Sequence, residues 1–148
     1  MMLHRAVMVS KARVDLGVGA LNGDLGSILA CCMKTSTDGH MTGALIWDRG
    51  WFLEVLEGRR DALEDFWQSI ANDPRHADPQ RLELVPLSKR DYQTWSVGTP
   101  RRGRANHTLL QSLRSHVPTA GEVRTHVRTV IATGLVAESP PLVCAAGA

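Results

Sequence analysis

Thr42-Gly43-Ala44-Leu45-Ile46-Trp47-Asp48-Arg49-Gly50-Trp51-Phe52-Leu53-Glu54-Val55-Leu56-Glu57-Gly58 is the stretch that decides the fold. Two apolar runs, at residues 42–47 and 51–57, flank Asp48-Arg49-Gly50, a short glycine-containing connection. Apolar strands around such a turn predict an antiparallel hairpin. In the first run Ala44 and Ile46 point one way, Leu45 and Trp47 the other. A strand that is apolar on both faces needs a sheet covered on both sides.

Toward the C-terminus, Leu63, Phe66, Trp67 and Ile70 recur at i, i+3, i+4 and i+7, which predicts a helix over residues 61–72, closed by Pro74. Residues 81–88 follow as a strand, and Pro86 places its end at an edge or bulge. Residues 94–98 suit a fifth strand. Toward the N-terminus, residues 3–10 suit a strand. A helix capped by Asp24 carries Leu25, Ile28, Leu29 and Cys32 on one stripe. The order β-α-β-β-α-β is the ferredoxin-like split βαβ pattern, an α+β class with both helices on one face of the sheet.

Beyond residues 100–104, a basic linker, two further helical stretches are predicted at 106–117 and 121–133, separated by Pro118. Their apolar stripes need a surface, and the open face of the sheet supplies one. The expected organisation is therefore a core at 1–98, linker and C-terminal helices at 99–136, and a flexible tail at 137–148.

A chain of 148 residues with 43% apolar and 22% charged residues is globular and of single-domain size. A formal charge of +2 announces no polyanionic partner. No apolar run approaches a membrane span, and the N-terminus lacks the long apolar core of a secretion signal. Cys31, Cys32 and Cys144 form no disulfide framework, so a cytoplasmic home is expected. The six His have no zinc-ligand spacing. Tyr92 is the chain's single phenol.

Five segments in unbroken order over residues 3–98 resemble the BLUF family, the flavin-binding blue-light sensors. They are Leu3-His4-Arg5 with Val9-Ser10; Thr42-Gly43-Ala44-Leu45-Ile46; Phe52-Leu53-Glu54-Val55-Leu56-Glu57-Gly58; Asp73-Pro74-Arg75-His76; and Arg90 with Trp95-Ser96-Val97-Gly98. The resemblance implies FAD or FMN between the first two helices and the sheet, and C-terminal helices across the opposite face. It implies a sensory domain without catalysis, with a downstream signalling protein as partner; a homo-oligomer stays open. It places the cofactor-contacting positions at Met8, Ile28, Thr35, Ser36, Glu54, Ile70, Asp73, Arg75, His76, Trp95 and Val97.

Several of these depart from the family pattern. Met8 stands where the family has the tyrosine that gives an electron and a proton to excited flavin. Glu54 replaces the glutamine that switches hydrogen bonds, and Thr35-Ser36 replace an asparagine pair. Ser69 and Val97 stand for an arginine and a methionine. A thioether has no acidic proton, and an ionised carboxylate only accepts, facing the acceptors O4 and N5 of the ring. The expectation is weakened or lost flavin binding, no usual photocycle, and action through protein–protein contact. Two alternatives stand beside it. One is a working photoreceptor in which burial keeps Glu54 protonated. The other is an RNA-binding domain of the same element order, for which Arg49-Gly50-Trp51-Phe52 is suggestive, while Glu54 and Glu57 would repel phosphates.

Structural readings accompany the functional ones. Glu54 is expected to reach solvent at the rim of a pocket, because unpaired buried carboxylates are rare. Tyr92 and Trp95 are expected to pack, and Cys32 to sit on a buried helical stripe. His76 is expected at a helix C-terminus, satisfied by its carbonyls. Arg101, Arg102 and Arg104 are expected on a solvated linker. No nucleophile–base pair and no phosphate-cradling glycine loop is evident.

Overall fold

The computed structural model describes residues 2–12, 41–101 and 117–138. The strand expected at the N-terminus forms β1 (Leu3–Ala12), and the two apolar runs form β2 (Thr42–Asp48) and β3 (Trp51–Arg59). The hairpin runs in register from Thr42↔Glu57 to Asp48↔Trp51. Arg49 (φ 47°) and Gly50 (φ 89°) both take left-handed backbone, the geometry whose twist matches a two-residue hairpin. Next come α1 (Arg60–Asn72), β4 (His76–Leu87), β5 (Trp95–Thr99), α2 (Ala120–Thr133) and β6 (Leu135–Glu138).

The six strands form one sheet in the order β4-β1-β3-β2-β5-β6. β1 lies antiparallel to both β3 and β4, so β3-α1-β4 is a βαβ unit with β1 inserted between its strands. β5 joins β2 in parallel. The α+β, ferredoxin-like class is thus the one read from the pattern. The helix expected over residues 24–32 and the one over 106–117 fall outside the described residues, as does the linker beyond Arg101.

Each face of the sheet has its own core. On one, Leu63, Phe66 and Ile70 of α1 pack on Met8, Leu45, Trp47, Phe52, Leu56 and Val97. On the other, Val123, Val127 and Val130 of α2 pack on Val7, Val9, Ala44, Ile46, Leu53 and Val55. The alternation of β2 is therefore satisfied in both directions. A capping box opens α2: the Thr119 hydroxyl accepts from the Glu122 N–H (3.1 Å), and the Glu122 carboxylate accepts from the Thr119 N–H (3.0 Å). Inside this second core His126 Nε2 lies 2.7 Å from Asp48 Oδ2, with side-chain exposures of 2% and 1%.

Two expectations are corrected. β4 begins at His76 rather than Arg81, because left-handed Asp78 (φ 49°) and two register shifts against β1 let the chain pair past Pro79. The edge position expected from Pro86 does hold. The tail does not start loose at Ala137: Leu135–Glu138 pairs antiparallel with β5, from Thr99↔Leu135 to Ser96↔Glu138. β5 would otherwise end in unpaired backbone donors and acceptors, and the chain leaving α2 at Gly134 supplies them at no long loop closure.

Two variants probe this packing. A Cβ at Gly43 would collide with the Val55 carbonyl oxygen across the hairpin. Gly43→Ala should therefore destabilise the fold by roughly 2 kcal/mol or more, read from chemical denaturation. His126→Leu strips the buried Asp48 carboxyl of its imidazole partner, and a loss of about 3 kcal/mol is expected in the same measurement.

Candidate functional site

On the α1 face a single row of side chains crosses four strands. Cross-strand pairing sets Met8 of β1 beside Glu54 of β3, Glu54 beside Leu45 of β2, and Leu45 beside Val97 of β5. All four are buried, and Ile70 and Phe66 of α1 belong to the same core. Strand alternation dictates this: Phe52, Glu54 and Leu56 share one face of β3, Leu53 and Val55 the other. Glu54 is thus the one carboxyl in an otherwise apolar row.

The expectation that Glu54 reaches solvent is corrected. Its exposure is 2%, and its Oε2 has no hydrogen-bond partner among the described residues. The strand holding it is covered by α1, so the side chain has no route outward. Burial, and secondarily the negative charge of Asp73, push its pKa up to about 8. At neutral pH Glu54 therefore carries a proton and offers an O–H donor, which an ionised carboxylate lacks.

The end of α1 brings the next residues together. Asp73 Oδ1 accepts from the Arg75 backbone N–H (2.9 Å), and Arg75 Nη2 approaches Asp73 Oδ2 at 2.7 Å. The hydrogen bonds from Arg75 hold the Asp73 carboxyl below its ordinary pKa, against the opposing effect of burial. His76 is not a helix C-terminal residue, as expected, but the first residue of β4. Its Nδ1 lies 2.6 Å from Ser10 Oγ and its ring packs 4.5 Å from Phe52. Burial holds the His76 pKa below the ordinary histidine value, against the opposing pull of the Asp73 charge.

Trp95 packs as expected, 6.0 Å from Phe66 in the α1-face core. Tyr92 packs against the opposite core, so the single phenol stands on the far side of the sheet from Glu54. Ile28, Thr35, Ser36, Cys31 and Cys32 lie outside the described residues. Phe52, the aromatic that the RNA reading needs on the sheet surface, is fully buried under α1 and is not presented for base stacking.

Sequence reasoning missed two buried polar arrangements. Glu57 accepts from the backbone N–H groups of Asp91 (2.9 Å) and Tyr92 (2.8 Å), fixing the segment that leads into β5. Arg90 Nη1 reaches the Glu57 carbonyl (3.1 Å) and Thr42 Oγ1 (2.7 Å) beside it. The other is Asp48–His126. A histidine within the valine stripe of residues 123–130 was the available signal.

The row from Met8 to Val97, with Asp73, Arg75 and His76, falls within a match to the family model described as "Sensors of blue-light using FAD", which spans residues 3–98. The chain belongs to the BLUF family. Among curated relatives, a photoactivated adenylate cyclase subunit beta of Euglena longa is 31% identical over 75 residues, and that of Euglena gracilis 32% over 75. The matched stretch is 50% of this chain but only 9% of either relative, so the chain corresponds to a small part of those proteins. The structure titled "BlsA photo-activated state" superposes with a TM-score of 0.68 at 18% identity, covering 90% of this chain and 98% of that one. "BlrB - a BLUF protein, dark state structure" gives 0.61 at 21%, covering 88% and 96%. "BlrP1 BLUF" gives 0.58 at 26%, covering 77% and 76%. Among the described residues no helix is long and apolar enough to cross a membrane.

The protonation of Glu54 has a thermodynamic signature. A carboxyl whose folded pKa is raised binds more protons folded than unfolded, so its contribution is full below the unfolded value near 4.5 and is lost as pH rises through about 8. The melting temperature of the wild type should fall relative to Glu54→Gln between pH 4.5 and 8, with a constant gap above pH 8.5.

Proposed function

We propose that this chain is a BLUF-type signalling domain that lacks the usual tyrosine-driven photocycle and acts through contact with a downstream signalling protein. The observation that carries the reading is the burial of Met8 directly across from Glu54, in the place where the family pattern has its phenol. A thioether can supply neither the proton nor the phenolic hydrogen bond that the photocycle uses. The one phenol, Tyr92, packs in the core on the opposite face.

The site still suits a flavin ring in part. Met8, Leu45 and Ile70 are apolar, and the unpartnered Oε2 of Glu54 supplies a donor for an acceptor edge. When bound, the flavin would supply blue absorption. The residues of this chain would exclude water, orient the ring edge and hold one proton at Glu54. Without the paired amide contacts of the family, binding is weaker. This keeps in view a second reading, a photoreceptor with an acid in place of the amide, which the buried, proton-bearing Glu54 favours.

No catalytic role is proposed for this domain. Relatives named as photoactivated adenylate cyclases match over 9% of their length, and a bacterial light-regulated adenylyl cyclase structure is covered over 36% of its chain. Those names suggest a nucleotide cyclase or comparable effector as the class of partner.

Absorbance spectroscopy of the purified protein, before and after adding FAD or FMN and under blue illumination, tests the reading. Sub-stoichiometric flavin and no reversible red shift are expected. A tightly held flavin whose spectrum shifts reversibly to the red would overturn it in favour of the photoreceptor.

A further inference from the structure

We propose that Glu54 makes the site proton-gated: a ring ligand is held with the neutral acid and released when the side chain ionises. This rests on the reading of the α1 face as a flavin-type site, and it adds a regulation that an amide at this position cannot provide.

The geometry carries the argument. On its own face Glu54 is flanked by Met8 and Leu45, neither of which can stabilise a negative charge. Among the described residues, the charged or titratable groups near this row are all committed elsewhere. From the end of α1, Asp73 is tied to Arg75. From the start of β4, His76 is bonded to Ser10 and stacked on Phe52. Further along β4, Arg81, which pairs with Met8, turns to Glu64 (2.8 Å) and over the Trp67 ring of α1. β2 and β5 present only Leu45 and Val97 in the row. Oε2 of Glu54 is thus buried with no hydrogen-bond partner among the described residues. Such an atom is satisfied by a ligand acceptor if it carries a proton, and repels that acceptor if it does not.

The two charge states have opposite consequences. The acid donates one hydrogen bond to a ring edge bearing carbonyl and imine acceptors. The anion sets a negative charge against those acceptors in an apolar site, where the repulsion is weakly screened. Binding and protonation are then linked: the ligand shifts Glu54 toward the acid, and a rising pH shifts the ligand off. If only the acid form is competent, the apparent Kd is the intrinsic value divided by the fraction protonated. It should rise about tenfold per pH unit once Glu54 ionises, from roughly pH 8 upward.

The test is a fluorescence-quenching titration of the full chain with FMN at pH 6.5, 7.5, 8.5 and 9.5, alongside Glu54→Gln, with circular dichroism confirming the fold at each pH. Wild-type affinity should weaken by about tenfold between pH 8.5 and 9.5, while that of Glu54→Gln stays flat. A second measurement needs no variant: calorimetry at pH 9 in two buffers of different ionisation heat should show close to one proton taken up per FMN bound. Parallel profiles in the two proteins, or no proton uptake, would overturn the gate and leave the flavin site standing. Binding by Glu54→Gln but not by the wild type at any pH would also overturn the gate. No FMN binding by either protein would sink the gate together with the site reading.

Discussion

Burial of β3 on both faces is the constraint from which the rest follows. Once α1 and α2 each claim a face, every residue of this strand from Phe52 to Gly58 must find its solution inside the protein. Its two glutamates find different ones. Glu57 meets the backbone N–H groups of residues 91 and 92, and these work against the upward pull of burial on its pKa. Glu54 meets a thioether and a leucine, and nothing offsets its desolvation. The same strand thereby organises a loop with one carboxyl and leaves the other as a proton store.

The second core shows how the C-terminal helix is placed. Valines at positions 123, 127 and 130 give contact area but little direction, since aliphatic packing tolerates sliding. The Asp48–His126 contact adds direction, joining α2 to the turn end of the hairpin. A buried polar pair of this kind contributes position more than net stability. The helix is thereby registered against the same hairpin whose other face carries Glu54.

Much of this was legible from residue patterns alone. The hairpin, α1 and the two-faced β2 announced themselves by period and turn chemistry, and five family-like segments pointed to the family. β6 was not legible, because four residues after a helix carry too little pattern to separate a strand from a tail. His76 was misplaced because its partners, Ser10 and Phe52, are distant in sequence and meet only through sheet register. For Glu54 the pattern supplied the face, but the depth of burial depends on α1 closing over it. Propensity and periodicity describe neighbours along the chain; proton affinity is set by neighbours across it.

The borders of the sheet bear on how copies of this chain can meet. β4, at one border, carries Pro79 and Pro86, two positions without an N–H, and a left-handed Asp78 that breaks its straight run. β6, at the other, is only four residues long. A strand from a second molecule would find an interrupted ladder on one side and a brief one on the other. Extension of the sheet from molecule to molecule is thus discouraged at both borders of the described sheet. A domain that must carry a signal gains from this: its backbone edges do not invite strand pairing that would fix it in one assembly.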